Sequence, residues 1–115
     1  MLRSPPVRIP FRVQARGSHR FDVAGLGLNS VDLLAVVAEY PESNTKQRIQ
    51  RFARLPGGQI ATALSACTRL GWSATYVGSF GADDLGEFSR RSLSEAGVDI
   101  SGSRTVGGAT NQFAI

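Results

Sequence analysis

The sequence predicts an α/β fold built on parallel strands, and three observations carry that prediction. Short apolar runs alternate with segments of helical period, and glycines stand at the joins. The first apolar run also lacks the in–out alternation of a half-solvated strand. Strands that alternate with helices in this order run parallel, joined by right-handed crossovers.

The elements follow in order. FDVAGLGLN (21–29) reads as a buried parallel strand, and SVDLLAVVAEYP continues from it until Pro41 stops the run. ESNTKQRIQRFARL (42–55) begins polar and then alternates, as a half-exposed strand does. From Gln59 the period becomes helical: Ile60, Ala63, Leu64, Cys67 and Leu70 share one face, which puts Cys67 in the core, and Gly71 is placed to end the helix. SATYVGSFG (73–81) is the next strand. DDLGEFSRRSLSEAG (83–97) is a second helix, with Asp84 and Glu87 at capping-box spacing, Glu87 and Arg91 four apart, and Gly97 at its end. VDISGSRTVGGATNQFAI (98–115) reads as extended segments around a turn at Gly107-Gly108. The chain stops at TNQFAI, which reads as the start of a strand, so the sequence is expected to be part of a longer domain. No repeat of roughly 20 to 50 residues is apparent.

Composition narrows the function. The 115 residues carry a net charge of +4, but residues 1–20 hold five of the 13 bases and no acid. The remaining eight bases face nine acids, so residues 21–115 are nearly neutral and the sequence predicts no nucleic-acid partner, which needs bases gathered on a folded face. The basic stretch is expected to be a disordered tail: its three prolines break any amphipathic targeting helix. No apolar run is long enough to span a bilayer, so no membrane partner is expected. A single cysteine excludes an internal disulfide and a cysteine-rich metal site, and a reduced, cytoplasmic setting fits best. His19 has no partner in sequence and receives no role. No metal ligands are assigned.

Ligands of open parallel sheets collect at the carboxyl ends of the strands. That rim would hold Asn29, Asp32, Asp83 and Asp84. Gly57 and Gly58 open a helix whose first N–H groups can face an oxygen-rich ligand. A carboxylate that accepts from hydroxyls, beside amides that donate to them, suits a polyhydroxylated molecule. Each residue also has a plainer reading. Asp32 can simply solvate a loop, Gly57-Gly58 can simply supply the backbone angles that start the helix, and Asp83 and Asp84 suit helix caps. GLGLNS (25–30) holds two glycines of a dinucleotide fingerprint. It lacks the third, and no acid follows about 20 residues on, so that reading is rejected.

The order of the parts is more specific than any one of them. GLNSVD (27–32), a half-exposed strand, Gly57-Gly58 opening a helix of small residues, and YVGSFGADDLGEFSRRSLSEAGVD (76–99) together resemble the ribokinase-like (pfkB) carbohydrate kinase family over residues 21–115. The resemblance implies a central parallel sheet flanked by helices, present here in part, with a small β lid drawn from 44–55 and 104–115. It implies that Asp32 holds sugar hydroxyls, that Gly57, Gly58 and Gln59 pass beneath the sugar, and that Thr62 binds a hydroxyl. Asn29 and Gln112 complete the candidate substrate contacts, and a homodimer through the lid is a possible assembly. Thr62 stands where the family usually has Asn, and Gln59 where ribokinase has Lys, which puts ribose specificity in doubt.

The activity implied is transfer of the ATP γ-phosphoryl to a hydroxyl of a sugar or polyol, assisted by Mg²⁺. The family's catalytic Asp lies in a Gly-Ala-Gly-Asp loop that does not occur in these residues, and neither does a Walker-type phosphate loop. No catalytic residue is therefore assigned here, and the chain alone is expected to be inactive. The competing expectation is a non-catalytic module that binds a sugar or pairs strands with another subunit.

Overall fold

A computed structural model describes residue 15 and residues 17–115. Most of the basic tail expected over residues 1–20 lies outside the described residues.

The α/β body begins with β1 (Val23–Leu26). Chain order then gives β2 (Ser30–Val36), β3 (Arg51–Gly57), α1 (Gln59–Arg69), β4 (Ala74–Val77), β5 (Ser79–Gly81), α2 (Asp84–Glu95), β6 (Arg104–Val106) and β7 (Phe113–Ala114). β1 pairs with β4, parallel as predicted, and β5 pairs with β6, also in parallel. The run expected over 73–81 divides at Gly78 into β4 and β5, so each half pairs with a different neighbour.

Helical period in the sequence becomes packing in the body. Leu64 of α1 and Leu93 of α2 join Ala61, Ala74, Tyr76, Phe80 and Val98 in one core, with Cys67 packed against it. Gly71 and Gly97 take the left-handed conformation just past the two helices, as their positions suggested. One detail of α2 follows the helix-cap reading and one differs from expectation. Its N-cap is Asp83, whose carboxylate accepts from the Gly86 N–H at 2.8 Å. Glu87 pairs with Arg90, one residue closer than Arg91, because both Nε and Nη2 of Arg90 reach the same carboxylate oxygen.

The lid is a separate three-stranded sheet in the order β3-β2-β7. Its composition corrects the expected boundaries. Residues 30–36 form its central strand. Residues 42–50 lie outside any strand, because Thr45 closes a turn on the Glu42 carbonyl with Asn44 in the left-handed region. Residues 104–106 belong to the body through β5, and only 113–114 reach the lid. The first strand ends at Leu26, so Asp32 lies within a lid strand and not at a body strand tip.

α2 approaches the body so closely that a β-carbon at Gly86 would overlap the Gly81 carbonyl. Helix propensity alone would make Gly86→Ala stabilising by about 1 kcal/mol. The overlap reverses the sign, and thermal denaturation should show Gly86→Ala destabilising by roughly 2 kcal/mol or more.

Candidate functional site

The site forms where the lid joins the body. β2 and β3 run antiparallel with Ser30 opposite Gly57 and Asp32 opposite Leu55, so Ser30, Asp32, Leu55 and Gly57 share one face of the lid. Directly opposed side chains would normally separate the strands' substituents, but position 57 has none. The Asp32 carboxylate fills that space: a β-carbon on Gly57 would fall 2.5 and 2.6 Å from its two oxygens. Asp32 is otherwise exposed. The Ser30 hydroxyl stands 3.4 Å from Oδ1, too far to hold it firmly.

Gly58 follows with φ +92°, a conformation in which a side chain is strained. A β-carbon there would lie 2.6 Å from the Asn29 Cα. As N-cap of α1, Gly58 supplies no side-chain hydrogen bond to the helix start. The Ala61 N–H is taken by the Leu28 carbonyl at 3.2 Å, which docks α1 on the β1–β2 corner. Gln59 and Thr62 are exposed on the first turns of the helix.

The candidates divide into two groups. Asp32 lies against Gly57, and Gly57 and Thr62 line a cleft of about 520 Å³ between α1 and α2. Asn29 and Gln112 line a second cleft of about 440 Å³, bounded by Leu26, Gly81 and Val106 at the carboxyl ends of the body strands.

Asn29 differs from the others because its side chain is already committed. It is 5% exposed, donates to the Tyr76 hydroxyl at 2.7 Å and the Ser79 carbonyl at 2.8 Å, and accepts from the Ser89 hydroxyl at 2.9 Å. Gln112 gives its carbonyl to the Val31 N–H at 3.0 Å while its side chain remains exposed. The two rim acids have work within the fold. Asp83 caps α2, and Asp84 pairs with Arg54 of β3 at 3.0 Å.

Sequence reasoning missed Tyr76, Ser89 and Asn111, which surround the junction. Tyr76 and Ser89 sit in ordinary core patterns, and only tertiary structure joins them to Asn29. Among the described residues no group of three or more His, Cys, Asp and Glu stands together to hold a metal ion. No helix among them is long and apolar enough to cross a membrane.

Fold and junction together define a lid-bearing α/β protein, with a carboxylate set over bare backbone where the lid meets the body. The sequence pattern described as pfkB family carbohydrate kinase matches residues 21–115, and the chain belongs to that family. It is 36% identical over 75 residues to an ATP-dependent ribose-1-phosphate kinase of Halopiger xanaduensis, covering 65% of this chain and 25% of that protein. Among solved structures it is similar to a candidate ribokinase from Agrobacterium tumefaciens, with TM-score 0.72 and 31% identity over 79% of this chain and 30% of that one. It is also similar to aminoimidazole riboside kinase from Salmonella enterica, solved with aminoimidazole riboside and an ATP analogue. There the TM-score is 0.64 and the identity 30%, over 81% of this chain and 28% of that one. The chain spans about a quarter of the length of the curated relatives it matches.

Gly58 combines positive φ with backbone contact on the far side of its Cα. Gly58→Ala should therefore lower stability by about 2 kcal/mol or more in denaturant unfolding, well beyond an ordinary surface change.

Proposed function

We propose that residues 21–115 form the substrate-binding, N-terminal portion of an ATP-dependent kinase acting on a sugar or related polyol. The observation that carries this reading is the Asp32 carboxylate resting on Gly57, with Gly58 opening α1 immediately after. A carboxylate accepts from two adjacent hydroxyls at once, and those charge-assisted bonds are the strong ones. Glycine backbone lets a sugar ring approach more closely than any side chain would allow. The first N–H groups of α1 then donate to ring or hydroxyl oxygens. Gln59 adds an amide and Thr62 a hydroxyl, a different donor set from the Lys and Asn of the resemblance, so the preferred sugar is expected to differ from ribose. Gln112, at the base of β7, lines the second cleft and would approach the substrate from that side.

In the complete protein, the substrate hydroxyl oxygen forms a bond to the γ-phosphorus as the bond from that phosphorus to the β-bridging oxygen breaks. ADP leaves, and the hydroxyl proton passes to a base outside residues 1–115. ATP and Mg²⁺ belong to that complete enzyme. A cytoplasmic setting and a homodimer that joins two lids are part of the same proposal. The lid edge β3 favours the dimer, since it pairs on one side only and exposes Phe52 and Leu55.

The decisive measurement is steady-state kinetics of the complete kinase across a sugar panel. Asp32→Ala should raise the sugar KM about 10- to 100-fold, the loss expected for hydrogen bonds to a charged group, and leave the ATP KM within about twofold. Equal loss for both substrates would mark a folding defect and defeat the assignment of Asp32. Residues 1–115 alone, mixed with ATP, Mg²⁺ and the same sugars, should give no turnover; sustained turnover would place the catalytic base within this stretch.

A further inference from the structure

The lid rises from the body on two neighbouring strands. β2 and β7 run parallel and side by side, with the Val31 N–H donating to the Gln112 carbonyl at their base. One asparagine precedes each strand: Asn29 stands directly before β2, and Asn111 two residues before β7. Both are polar residues in the interior, each 5% exposed.

Their partners converge on one short body strand. Asn29 Nδ2 donates to the carbonyl of Ser79, the first residue of β5. Asn111 Oδ1 accepts from the N–H of Gly81, its last residue, at 3.0 Å. Each asparagine has a second tie to the body. Asn29 is held between the Tyr76 hydroxyl, itself donating to the Gly27 carbonyl at 2.7 Å, and the Ser89 hydroxyl of α2. The Asn111 backbone N–H donates to Asp83 Oδ2 at 3.0 Å, while the other oxygen of that carboxylate caps α2.

We infer that Asn29 and Asn111 are positioning residues that grip β5 at its two ends and so set the angle of the lid's β2–β7 pair, and with it the placement of Asp32 over Gly57. The route to the site is short. The residue before Asn29 accepts the Ala61 N–H of α1, the Asn29 Cα lies against Gly58, and Asp32 follows three residues on. A one-residue error in the corner would turn the carboxylate to the other face of the lid, because side chains alternate along a strand. An aliphatic residue at position 29 would leave the buried Ser89 hydroxyl and the part-buried Ser79 carbonyl without these partners, so the amide is chemically required. The inference gives Asn29 a different role from the direct sugar contact that the resemblance implied.

The role in catalysis rests on the sugar-kinase reading, but the mechanical role does not, and the test separates them. Amide hydrogen exchange is measured on the complete protein, wild type against Asn29→Ala and Tyr76→Phe; the second variant removes one partner with almost no change of shape. Exchange over residues 30–36 and 113–114 should accelerate by about tenfold or more while β1 and β4 keep their protection. In the same variants the sugar KM should rise about tenfold and the ATP KM stay within about twofold. If Asn29→Ala lacks a cooperative melt, Tyr76→Phe decides. Unchanged exchange in the lid strands, or uniform acceleration through both lid and body, would overturn the inference. Accelerated lid exchange in the variants, with a wild-type protein that phosphorylates no sugar, would instead leave the clamp standing and remove the kinase reading.

Discussion

A missing β-carbon at position 57 is the constraint on which the junction depends. In an antiparallel pair, residues facing each other bring their β-carbons to about 5 Å, and a side chain at 57 would meet both Ser30 and the Asp32 carboxylate. Glycine removes that conflict, and the carboxylate settles onto backbone. Gly58 then extends the same bare surface into the start of α1, at φ +92°. One carboxylate, two unsubstituted residues and an uncapped helix start are thereby brought together by strand register alone. The lid carries both the exposed carboxylate and Gly57, and Gly58 passes the chain to α1 of the body.

Much of this was legible in the sequence. The helix over Gln59–Arg69, its terminal glycine, the parallel pairing of the first and second body strands and the second helix all follow from period and turn chemistry. Juxtaposition of Asp32 with Gly57 was not contained in any spacing; it came from the order of the parts, which pointed to the family. The lid was the least legible element. The resemblance placed residues 104–115 in the lid, residues 104–106 among them. Their partner is a body strand instead, and strand pairing is a tertiary property that local pattern does not encode. Residues 30–36 were hard for the opposite reason. SVDLLAVV continues the apolar run before it, and only the turn through Gly27–Asn29 separates a body strand from a lid strand.

The buried polar residues were illegible for a related reason. Asn29 looks like a rim residue because it follows an apolar strand, and Asn111 looks like part of the strand that TNQFAI begins. Neither position shows that its partners lie 47 to 60 residues away for Asn29, or 30 and 28 for Asn111. What the sequence does offer is a mixed composition at the joins, where Asn, Ser and Gly recur. Such residues serve turns as readily as networks.

Magnitudes decide which contacts hold the lid against the body. The most visible one is the Arg54–Asp84 ion pair, but its side chains are 47% and 73% exposed, and pairs of that kind contribute about 0–1 kcal/mol. Salt screens it, and two long side chains must be ordered to make it. The asparagine ties work in the opposite regime. Both asparagines are 5% exposed, so losing a partner at their buried bonds costs the desolvation of the group left behind, roughly 1–3 kcal/mol each. Two such bonds act on one three-residue strand, and no buried side-chain nitrogen or oxygen among the described residues is left without a partner. The lid's attitude is therefore governed by neutral amides in the interior, and the charged pair on the outside adjusts it at most slightly. This ordering also explains why the site can tolerate an exposed, weakly tethered carboxylate. Asp32 needs no strong bond of its own, because the strand that carries it is already fixed at its root.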